Sequence, residues 1–408
     1  MNCRFCRNGL NHIFIDLIAS PPSNSFLTKE KLAEPEVYYP LKVFVCENCF
    51  LVQIDEHKKH SEIFCDEYVY FSSMSRTWLD HSKKYSGMII EKLGLNDTSF
   101  VIEIASNDGY LLQFFKKYNI PCLGIEPTKS TADVARQKGI TVLEEFFNQN
   151  LAIKLRDKGK RADLIIGNNV LAHVPNLNDF VEGLKIALKS TGTITLEFPH
   201  LFQLINNNQF DTIYHEHYSY FSLMTAQKIF TAHDLVLYNV EELDTHGGSL
   251  RIYVCHKEND KISINPSVDN LLAKEKKAGL DMLEYYSDFH CRVIKIKTDL
   301  TNFLINKKNK GKKIAGYGAA AKGNTLLNYC GIKNDIIDFV ADAAPSKQGC
   351  YLPGSHIPVV EEKVITKEKP DYIIIFPWNI KSEIIEQLSY IKEWKGKFVV
   401  PIPELQIL

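Results

Sequence analysis

The stretch from Phe100 to Glu126 constrains the fold more than any other part of the chain. Phe100 to Ile104 is a mainly apolar run that predicts a buried strand, and a polar turn through Gly109 follows it. An apolar-periodic segment from Tyr110 to about Tyr118 then predicts a helix. The next predicted strand, Cys122 to Glu126, ends in a carboxylate. This order is typical of one half of a doubly wound parallel sheet, in which a ligand binds outside the carboxyl ends of the strands.

The turn itself distinguishes between two kinds of nucleotide cofactor. An NAD site requires G-x-G-x-x-G after the first strand, whereas this turn runs Glu103-x-Ala105-x-Asn107-x-Gly109 and has only the last glycine. The spacing resembles motif I of the S-adenosylmethionine (SAM) methyltransferases, although Ala105 and Asn107 depart from the common pattern. Glu126 is placed to accept the hydroxyls of a ribose. An α/β core without a ligand stays open as the alternative, because this architecture hosts many functions.

The composition is that of an ordinary globular protein with two or three domains. The chain has 408 residues, of which 45% are hydrophobic and 24% charged. The formal net charge of −1 gives no reason to expect a nucleic-acid partner. No apolar run approaches the roughly 18 residues of a membrane span, and the first ten residues do not resemble a signal peptide. Ten cysteines in such a chain favour a reducing cytoplasm and thiols or metal over disulfides.

Two cysteine pairs predict a zinc site near the start of the chain. Cys3 and Cys6 form one Cys-x-x-Cys knuckle, and Cys46 and Cys49 form the second. Four thiolates satisfy tetrahedral zinc and leave no open position for a substrate. We therefore expect a structural Zn²⁺ that closes the excursion between the knuckles. Four free thiols, or a redox pair at Cys46 and Cys49, remain the alternatives.

Polar residues cluster at the carboxyl end of another predicted strand. Leu164 to Gly167 is a continuous apolar run, typical of a buried parallel strand. Asn168, Asn169 and the nearby His173 follow it. Because carboxyl ends of parallel strands share one edge, we expect these side chains to face the same ligand as the turn at Gly109.

The densest group of chemically active residues lies between Asp211 and Ser222. Tyr214-His-Glu-His-Tyr-Ser-Tyr-Phe-Ser222 contains two histidines, a glutamate and three tyrosines. The His-Glu-His spacing is not that of the zinc hydrolases, and neighbouring positions do not share one helical face. General acid–base chemistry is the better interpretation, since histidine titrates near neutrality.

Taken together, these motifs resemble the ketosugar C-methyltransferases, which use SAM to methylate a carbon of a nucleotide-linked deoxysugar. The likeness runs in order from residue 3 to about residue 325. The motifs that carry it are the paired Cys-x-x-Cys knuckles, Glu67-Tyr-Val-Tyr-Phe-Ser-Ser73, Glu103-Ile-Ala-Ser-Asn-Asp-Gly109, Asn169-Val-Leu-Ala-His-Val-Pro175, Tyr214-His-Glu-His-Tyr-Ser-Tyr-Phe-Ser222 and Gly316-Tyr-Gly-Ala-Ala-Ala-Lys-Gly-Asn-Thr325.

The resemblance implies a mechanism and a set of site residues. His217 would remove a proton beside a ketone to make an enolate, with Tyr214, Glu216 and Tyr68 stabilising the enolate oxygen, holding the sugar or orienting the imidazole. The residues implied for SAM are Glu103, Ser106, Asn107, Gly109, Glu126, Asn169 and His173. Those implied for the nucleotide-sugar substrate are Tyr70, His215, Lys322 and Asn324.

The expected fold class is α/β with three parts. We predict a small zinc-binding N-terminal module at residues 1–66 and a central doubly wound SAM-methyltransferase-like sheet at residues 67–265. Linking helices would occupy residues 266–310, and a C-terminal Rossmann-like α/β domain that binds the sugar nucleotide would occupy residues 311–408. Oligomeric state, sugar and methylated carbon are not determined by the sequence.

Three other functions stay open. Gly316-x-Gly318-x-x-Ala321, with Asp342 after the next strand, satisfies the relaxed dinucleotide fingerprint and would suit an NAD(P)-dependent oxidoreductase. Methyl transfer to an oxygen or to a non-sugar acceptor is the second alternative. A zinc-containing nucleic-acid module is the third, against which the neutral charge argues.

Overall fold

A computed structural model describes residues 1–59, 62 and 71–408. The predicted site residues Tyr68 and Tyr70 lie outside the described residues. The β-strands are β1 (His12–Ser20), β2 (Tyr39–Val45), β3 (Val52–Ile54), β4 (Val101–Ile104), β5 (Cys122–Ile125), β6 (Thr141–Leu143), β7 (Ala162–Asn168), β8 (Leu188–Pro199), β9 (Ser219–Tyr220), β10 (Leu235–Leu243), β11 (Ser249–His256), β12 (Ile314–Tyr317), β13 (Phe339–Ala341), β14 (Val359–Val360), β15 (Tyr372–Ile375), β16 (Lys397–Val400) and β17 (Gln406–Ile407). The α-helices are α1 (Arg76–Leu93), α2 (Leu112–Lys117), α3 (Lys129–Gln137), α4 (Gln149–Asp157), α5 (Leu177–Ala187), α6 (Leu201–Asn206), α7 (Leu223–Ala232), α8 (Pro266–Ala278), α9 (Glu284–Ser287), α10 (Phe289–Lys308), α11 (Ala321–Cys330), α12 (Lys363–Glu368) and α13 (Lys381–Gln387).

The N-terminal module is built on an antiparallel sheet with the order β1-β2-β3-β9. Strands β2 and β3 form a hairpin around the second cysteine knuckle. Strand β9 comes from the histidine-rich segment and pairs with β3, with Val52 opposite Tyr220 and Gln53 opposite Ser219. The module therefore supplies the backbone support for the segment in which catalysis is predicted.

The central sheet has the order β10-β11-β8-β7-β4-β5-β6. Strands β4 to β8 are parallel, and β11 runs antiparallel to both β8 and β10. Its central strands are buried on both faces, which explains the continuous apolar run in β7. Between β4 and β7 the direction of winding reverses, so a crevice opens at their carboxyl ends.

The C-terminal sheet has the order β14-β13-β12-β15-β16-β17, parallel except for the edge strand β17. Its winding reverses between β12 and β15, which places a second crevice at their carboxyl ends. The loops at this crevice meet the central domain, since the 3₁₀ turn Trp378–Ile380 contacts the 3₁₀ turn Thr245–Gly247. The carboxyl-end loops of the two doubly wound sheets thus meet at these turns.

The linking helices predicted at residues 266–310 are three, α8, α9 and α10. Helix α8 packs on the central domain, where the buried Glu275 lies 2.6 Å from Nε2 of His200. Helix α10 packs on β1 and α11. Among the described residues, no helix has the length and apolarity that crossing a bilayer requires.

Candidate active site

The four predicted zinc ligands converge at one point. The sulfur atoms of Cys3, Cys6, Cys46 and Cys49 all lie within 4.8 Å of one another. Tetrahedral zinc with four Zn–S bonds of about 2.3 Å requires sulfurs roughly 3.8 Å apart. The donor set and its geometry therefore fit a closed structural Zn²⁺ site.

The turn after β4 is shaped to let its backbone approach a ligand. Ala105 and Asn107 have left-handed backbones, with φ of 55° and 49°. The Glu126 carboxylate, at the carboxyl end of β5, accepts hydrogen bonds from the backbone N–H groups of Asn107 and Thr128, both at 2.9 Å. Its pKa is raised, chiefly by burial. The turn and the carboxylate are therefore locked together, and ribose binding by Glu126 stays a prediction.

Three of the predicted cofactor residues, in this turn or on the strand before it, pack against the protein core. Glu103 is fully buried on β4, and burial raises the pKa of its carboxyl well above the ordinary value. Ser106 is also fully buried, and a Cβ on Gly124 would lie 2.4 Å from its Oγ. Gly109 has φ of +74°, and its missing Cβ would meet Ile140 and Ala135. These contacts show packing roles for Ser106 and Gly109, while direct cofactor contact stays a prediction.

At the end of β7, Asn169 has a left-handed backbone with φ of 54°. Its Nδ2 lies 3.0 Å from Nε2 of His246, and its Oδ1 is buried without a hydrogen-bond partner in the described chain. The His246 ring lies 5.2 Å from the Trp78 ring, and burial lowers its pKa to about 4. An orphaned amide oxygen in this crevice suits the amino or hydroxyl group of a bound cofactor.

His217 is held in one tautomer by the backbone. Its Nδ1 lies 2.9 Å from the carbonyl oxygen of Thr212, and a carbonyl only accepts, so Nδ1 carries the hydrogen. Burial, followed by the charge of His173, lowers the pKa of His217 well below its ordinary value. The ring is therefore neutral near pH 7, and its Nε2 carries the lone pair of a base.

Two aromatic neighbours enclose this imidazole. The ring centroids of His173 and His217 are 4.7 Å apart, and those of Tyr214 and His217 are 4.0 Å apart. Burial lowers the pKa of His173 to about 4. His173 and Tyr214 are 41 positions apart in the sequence, and the fold brings both against the imidazole of His217.

Glu216 and His215 face the N-terminal module. Both Glu216 carboxylate oxygens accept from Nδ2 of Asn24, at 2.8 and 2.9 Å, and burial raises the pKa of the carboxyl to about 7. Nε2 of His215 lies 3.3 and 3.2 Å from the carbonyl oxygens of Tyr39 and Pro40. The carbonyl oxygen of Thr212 orients the imidazole of His217. The backbone thus performs the orienting role that was predicted for Glu216. Substrate binding by His215 stays a prediction.

From the C-terminal crevice, Lys322 projects toward the same cleft. Its Nζ donates to Oδ1 of Asn379 at 2.9 Å and lies 4.4 Å from the Trp378 ring centroid. Burial lowers the pKa of Lys322 to about 8, and the charge of Asp211 opposes that shift. The Lys322 charge contributes in turn to the low pKa of His217 and His246. Asn324, by contrast, is fully buried and donates to the Ser23 carbonyl at 2.6 Å, so its substrate contact stays a prediction.

In the C-terminal domain, other protein atoms occupy the space beside the glycine-rich turn. Gly318 is the second glycine of the fingerprint, which in dinucleotide sites lets the backbone approach the pyrophosphate. Here a Cβ on Gly318 would lie 2.6 Å from Cδ of Pro377. Oδ2 of Asp342 accepts from the backbone N–H of Ala319 at 2.7 Å, and Lys347 Nζ donates to the Ala319 carbonyl at 2.8 Å. These contacts disfavour the NAD(P) alternative.

Sequence reasoning missed three residues that the fold brings to the cleft or its support. Asp211 was a boundary of the histidine-rich segment, His246 stood in an unexplained Thr-His-Gly-Gly stretch, and Arg4 lay between two zinc ligands. The Gly247-Gly248 pair after His246 was a signal for a strained turn. The sequence alone gave no signal for Arg4.

Comparison with known families matches three successive segments of the chain. Residues 3–64 match a zinc binding domain, residues 78–240 a methyltransferase domain, and residues 244–403 a C-methyltransferase C-terminal domain. The last match begins inside the central sheet, ahead of β11. In each case the family description agrees with the fold at that place.

Solved structures of other methyltransferases align with less than half of the chain. A SAM-dependent methyltransferase from Anabaena variabilis is 15% identical, with a TM-score of 0.36, and covers 42% of this chain and 83% of its own. Magnesium protoporphyrin IX methyltransferase from Synechocystis with bound SAM is 14% identical, with a TM-score of 0.34, over 48% of this chain and 88% of its own.

A curated relative covers the whole chain. C-methyltransferase NovU from Streptomyces niveus is 31% identical over 406 residues, which is 100% of this chain and 96% of the relative. The four-cysteine centre, the central sheet and the C-terminal domain are all inside that alignment. The chain therefore belongs to the SAM-dependent C-methyltransferases that carry an N-terminal zinc-binding domain.

Proposed function

We propose that this protein methylates the carbon beside the ketone of a nucleotide-linked deoxysugar, through an enolate that His217 generates. The observation that carries the proposal is the fixed tautomer of His217, whose Nδ1–H is committed to the Thr212 carbonyl at 2.9 Å. The motifs around it resemble those of the ketosugar C-methyltransferases. The relative NovU is a C-methyltransferase, which supports carbon as the methyl acceptor.

The chemistry explains why such a base is required. A carbon beside a ketone becomes nucleophilic when its proton is removed, and the electron pair of that C–H bond then moves onto the carbonyl oxygen. Nε2 of His217 would take the proton, since the buried ring is neutral and its lone pair is on that atom. A general base placed in this way typically contributes about 10²- to 10⁴-fold in rate.

The negative charge that develops on the ketone oxygen needs donors or positive charge nearby. Tyr214 stacks beside the base, and the Lys322 charge already acts on His217. Tyr214 would donate to the enolate oxygen or hold the sugar, with Tyr68 in the same role. Glu216, whose pKa of about 7 makes its carboxyl protonated in part at neutral pH, would contact the sugar from the side of Asn24.

The residues that would hold SAM are those of the β4 turn and its neighbours, chiefly Asn107, Glu126 and Asn169. When bound, SAM supplies an electrophilic methyl group that the enolate carbon attacks, so that a C–C bond forms as the S–CH₃ bond breaks. The chain's own contribution at this end is to fix the turn, through the Glu126 hydrogen bonds, and to close it with Ser72, whose N–H donates to Oδ1 of Asn107 at 2.9 Å.

The nucleotide end of the substrate would lie at the C-terminal crevice. Lys322 is at the start of α11 and supplies a cation near the N-terminus of that helix, where phosphate oxygens are favoured. In this proposal the cofactor and the substrate would lie on opposite sides of His217.

Proton removal can be tested separately from methyl transfer. Thymidine- and guanosine-linked ketosugars would be incubated in D₂O with the protein and S-adenosylhomocysteine, and deuterium beside the ketone would be followed by NMR. We expect exchange that His217→Asn abolishes, and a new carbon-bound methyl when SAM replaces S-adenosylhomocysteine. A methyl ether in the product would instead establish oxygen transfer, and absence of both signals across the panel would reject the ketosugar.

A further inference from the structure

Arg4, between two zinc ligands, extends from the cysteine knuckle into the central domain. It is 8% exposed, and its backbone N–H donates to Oε1 of Gln53 at 2.8 Å. Nε2 of Gln53 in turn donates to Sγ of Cys3 at 3.2 Å. The position of the Arg4 backbone is therefore fixed by the zinc knuckle and by β3 together.

The guanidinium group joins three segments. Its Nη1 donates to the carbonyl oxygen of Pro175 at 2.8 Å, and its Nη2 donates to that of Ile54 at 2.6 Å. The carbon at its centre lies 5.1 Å from the ring centroid of Tyr218. A planar fork with several donors is suited to hold two carbonyls in one geometry, which a lysine ammonium does less well.

Two of these segments carry the paired imidazoles. Pro175 is two residues after His173, and Tyr218 is the residue after His217. The backbone N–H of Tyr218 donates to the Ala172 carbonyl at 2.7 Å, and Ile54 N–H donates to the Tyr218 carbonyl at 3.1 Å. Arg4 thus closes a ring of hydrogen bonds around the backbones that set the distance between His173 and His217.

We propose that Arg4 is a positioning residue of the methyl-transfer site, through which the zinc knuckle fixes the His173–His217 pair. This inference rests on the proposed function of His217 as the base. It assigns the zinc module a task beyond its own stability, because the knuckle is the rigid anchor from which the guanidinium reaches both histidine segments. A misplacement of about 1 Å at a base is enough to cost roughly 10²-fold in rate.

The test compares Arg4→Met and Arg4→Lys with Arg7→Met. Arg7 lies just outside the same knuckle and is exposed, so its variant controls for loss of one cation near the zinc. Four quantities are measured: zinc content, S-adenosylhomocysteine affinity, the rates of deuterium exchange and methyl transfer, and the ¹⁵N imidazole resonances of His173 and His217.

We expect Arg4→Met to keep its zinc and its cofactor affinity, since the β4 turn does not touch Arg4. Its kcat should fall about 10- to 100-fold with KM nearly unchanged, and the His217 resonances should show both tautomers. Arg4→Lys should be intermediate, and Arg7→Met should match the wild type.

Unchanged histidine resonances and kcat in Arg4→Met would overturn the proposal. Loss of zinc from both Arg4 variants would also overturn it, because the residue would then belong to the zinc fold alone. If no ketosugar reacts with the wild type, the proposed function fails, yet the imidazole spectra still decide whether Arg4 positions the pair.

Discussion

The indole N–H of Trp378 donates a hydrogen bond to Oδ2 of Asp211 at 2.7 Å, across 167 positions of sequence. This contact joins the C-terminal crevice to the segment that carries His217. Asp211 is buried and its other oxygen, Oδ1, has no hydrogen-bond partner among the described residues. The charge of Lys322, the Trp378 indole and the backbone N–H groups of Asp211 and Thr212 all favour the charged form of this carboxylate.

Trp378→Phe removes the donor and leaves the ring volume largely in place. We expect the free energy of unfolding to fall by about 1–3 kcal/mol, the cost of a buried acceptor left unpaired, and KM for the sugar substrate to rise. Urea unfolding and steady-state kinetics measure both. Trp394→Phe is the control, because its indole donates to the Pro370 carbonyl and it has no contact with Asp211. Equal effects of the two substitutions would contradict the prediction.

Replacement of the base is the most direct test of mechanism. His217→Asn should lower kcat by about 10²-fold or more, with the affinity for SAM near that of the wild type. Calorimetric titration with S-adenosylhomocysteine and single-turnover kinetics separate the two quantities. His233→Asn serves as control, since that imidazole contacts Glu182 and Asn178. A His217→Asn enzyme that retains more than about a tenth of the wild-type rate would exclude the imidazole as general base.

The pH dependence follows from the opposite charges of Asp211 and Lys322, which act on each other. Burial raises the pKa of Asp211 to about 6 and lowers that of Lys322 to about 8. Asp211 loses its charge as pH falls through the first value, and Lys322 loses its charge as pH rises through the second. We expect kcat/KM to fall below the first value and above the second, with a further change near pH 7 from Glu216, whose pKa burial raises to about 7.

The base does not add a limb inside that range, because the pKa of His217 is lowered well below its ordinary value. Lys322→Arg should remove the decline at high pH, since a guanidinium stays charged. Measurement of kcat/KM as a function of pH for both enzymes tests this. A basic limb that persists unchanged in the arginine variant would assign the decline to another group.

Removal of zinc should separate the N-terminal module from the cofactor site. Cys49→Ser breaks the four-sulfur set, so we expect loss of bound zinc and a lower thermal midpoint, because structural zinc sites contribute folding free energy directly. Methyl transfer should be lost because β9, in the histidine-rich segment, pairs with β3 of the zinc module. S-adenosylhomocysteine should still bind at the β4 turn. Metal analysis, thermal unfolding and calorimetry measure these outcomes. Cys291→Ser, at an exposed thiol, should change none of them.

Substitution of Gly247 tests how closely the central and C-terminal domains approach each other at this turn. A Cβ there would lie 2.4 Å from Cη2 of Trp378, and its φ is +89°. Gly247→Ala should therefore slow deuterium exchange and destabilise the protein by more than the roughly 1–2 kcal/mol that a left-handed backbone costs an alanine. Gly311→Ala carries only that cost, because φ is +68° and nothing lies within 4 Å. Similar losses in both variants would show that the cleft has room at this point.

Local sequence predicted much of the sheet framework. The runs at Val101–Ile104 and Ala162–Asn168 are buried strands as expected, and the helix predicted from Tyr110 to about Tyr118 is α2, at Leu112–Lys117. Continuous apolar runs and capping signals report burial and helix ends directly. Strand β1 was not predicted, because its short alternation is interrupted by bulges against β2.

The candidate site was predicted less completely. His217, Tyr214 and His173 meet as the motifs indicate, but Glu216 is bonded to Asn24, which is 192 positions away. His215 and Asn324 also bond to backbone carbonyls of the N-terminal module. Residue type indicates which chemistry a side chain can perform, and gives no information on which of several distant partners will satisfy it.

The sequence by itself determined the zinc ligands, the strand–turn–helix unit at Val101–Glu126 and the residue types available for proton transfer. These features depend on spacing and periodicity within short segments. The tertiary structure alone decided that Thr212 fixes the tautomer of His217, that Pro377 fills the C-terminal glycine turn and that Arg4 reaches Pro175. Such contacts join segments that are far apart in the chain, and they are set by how the three sheets pack against one another to bury their apolar faces and satisfy their polar groups.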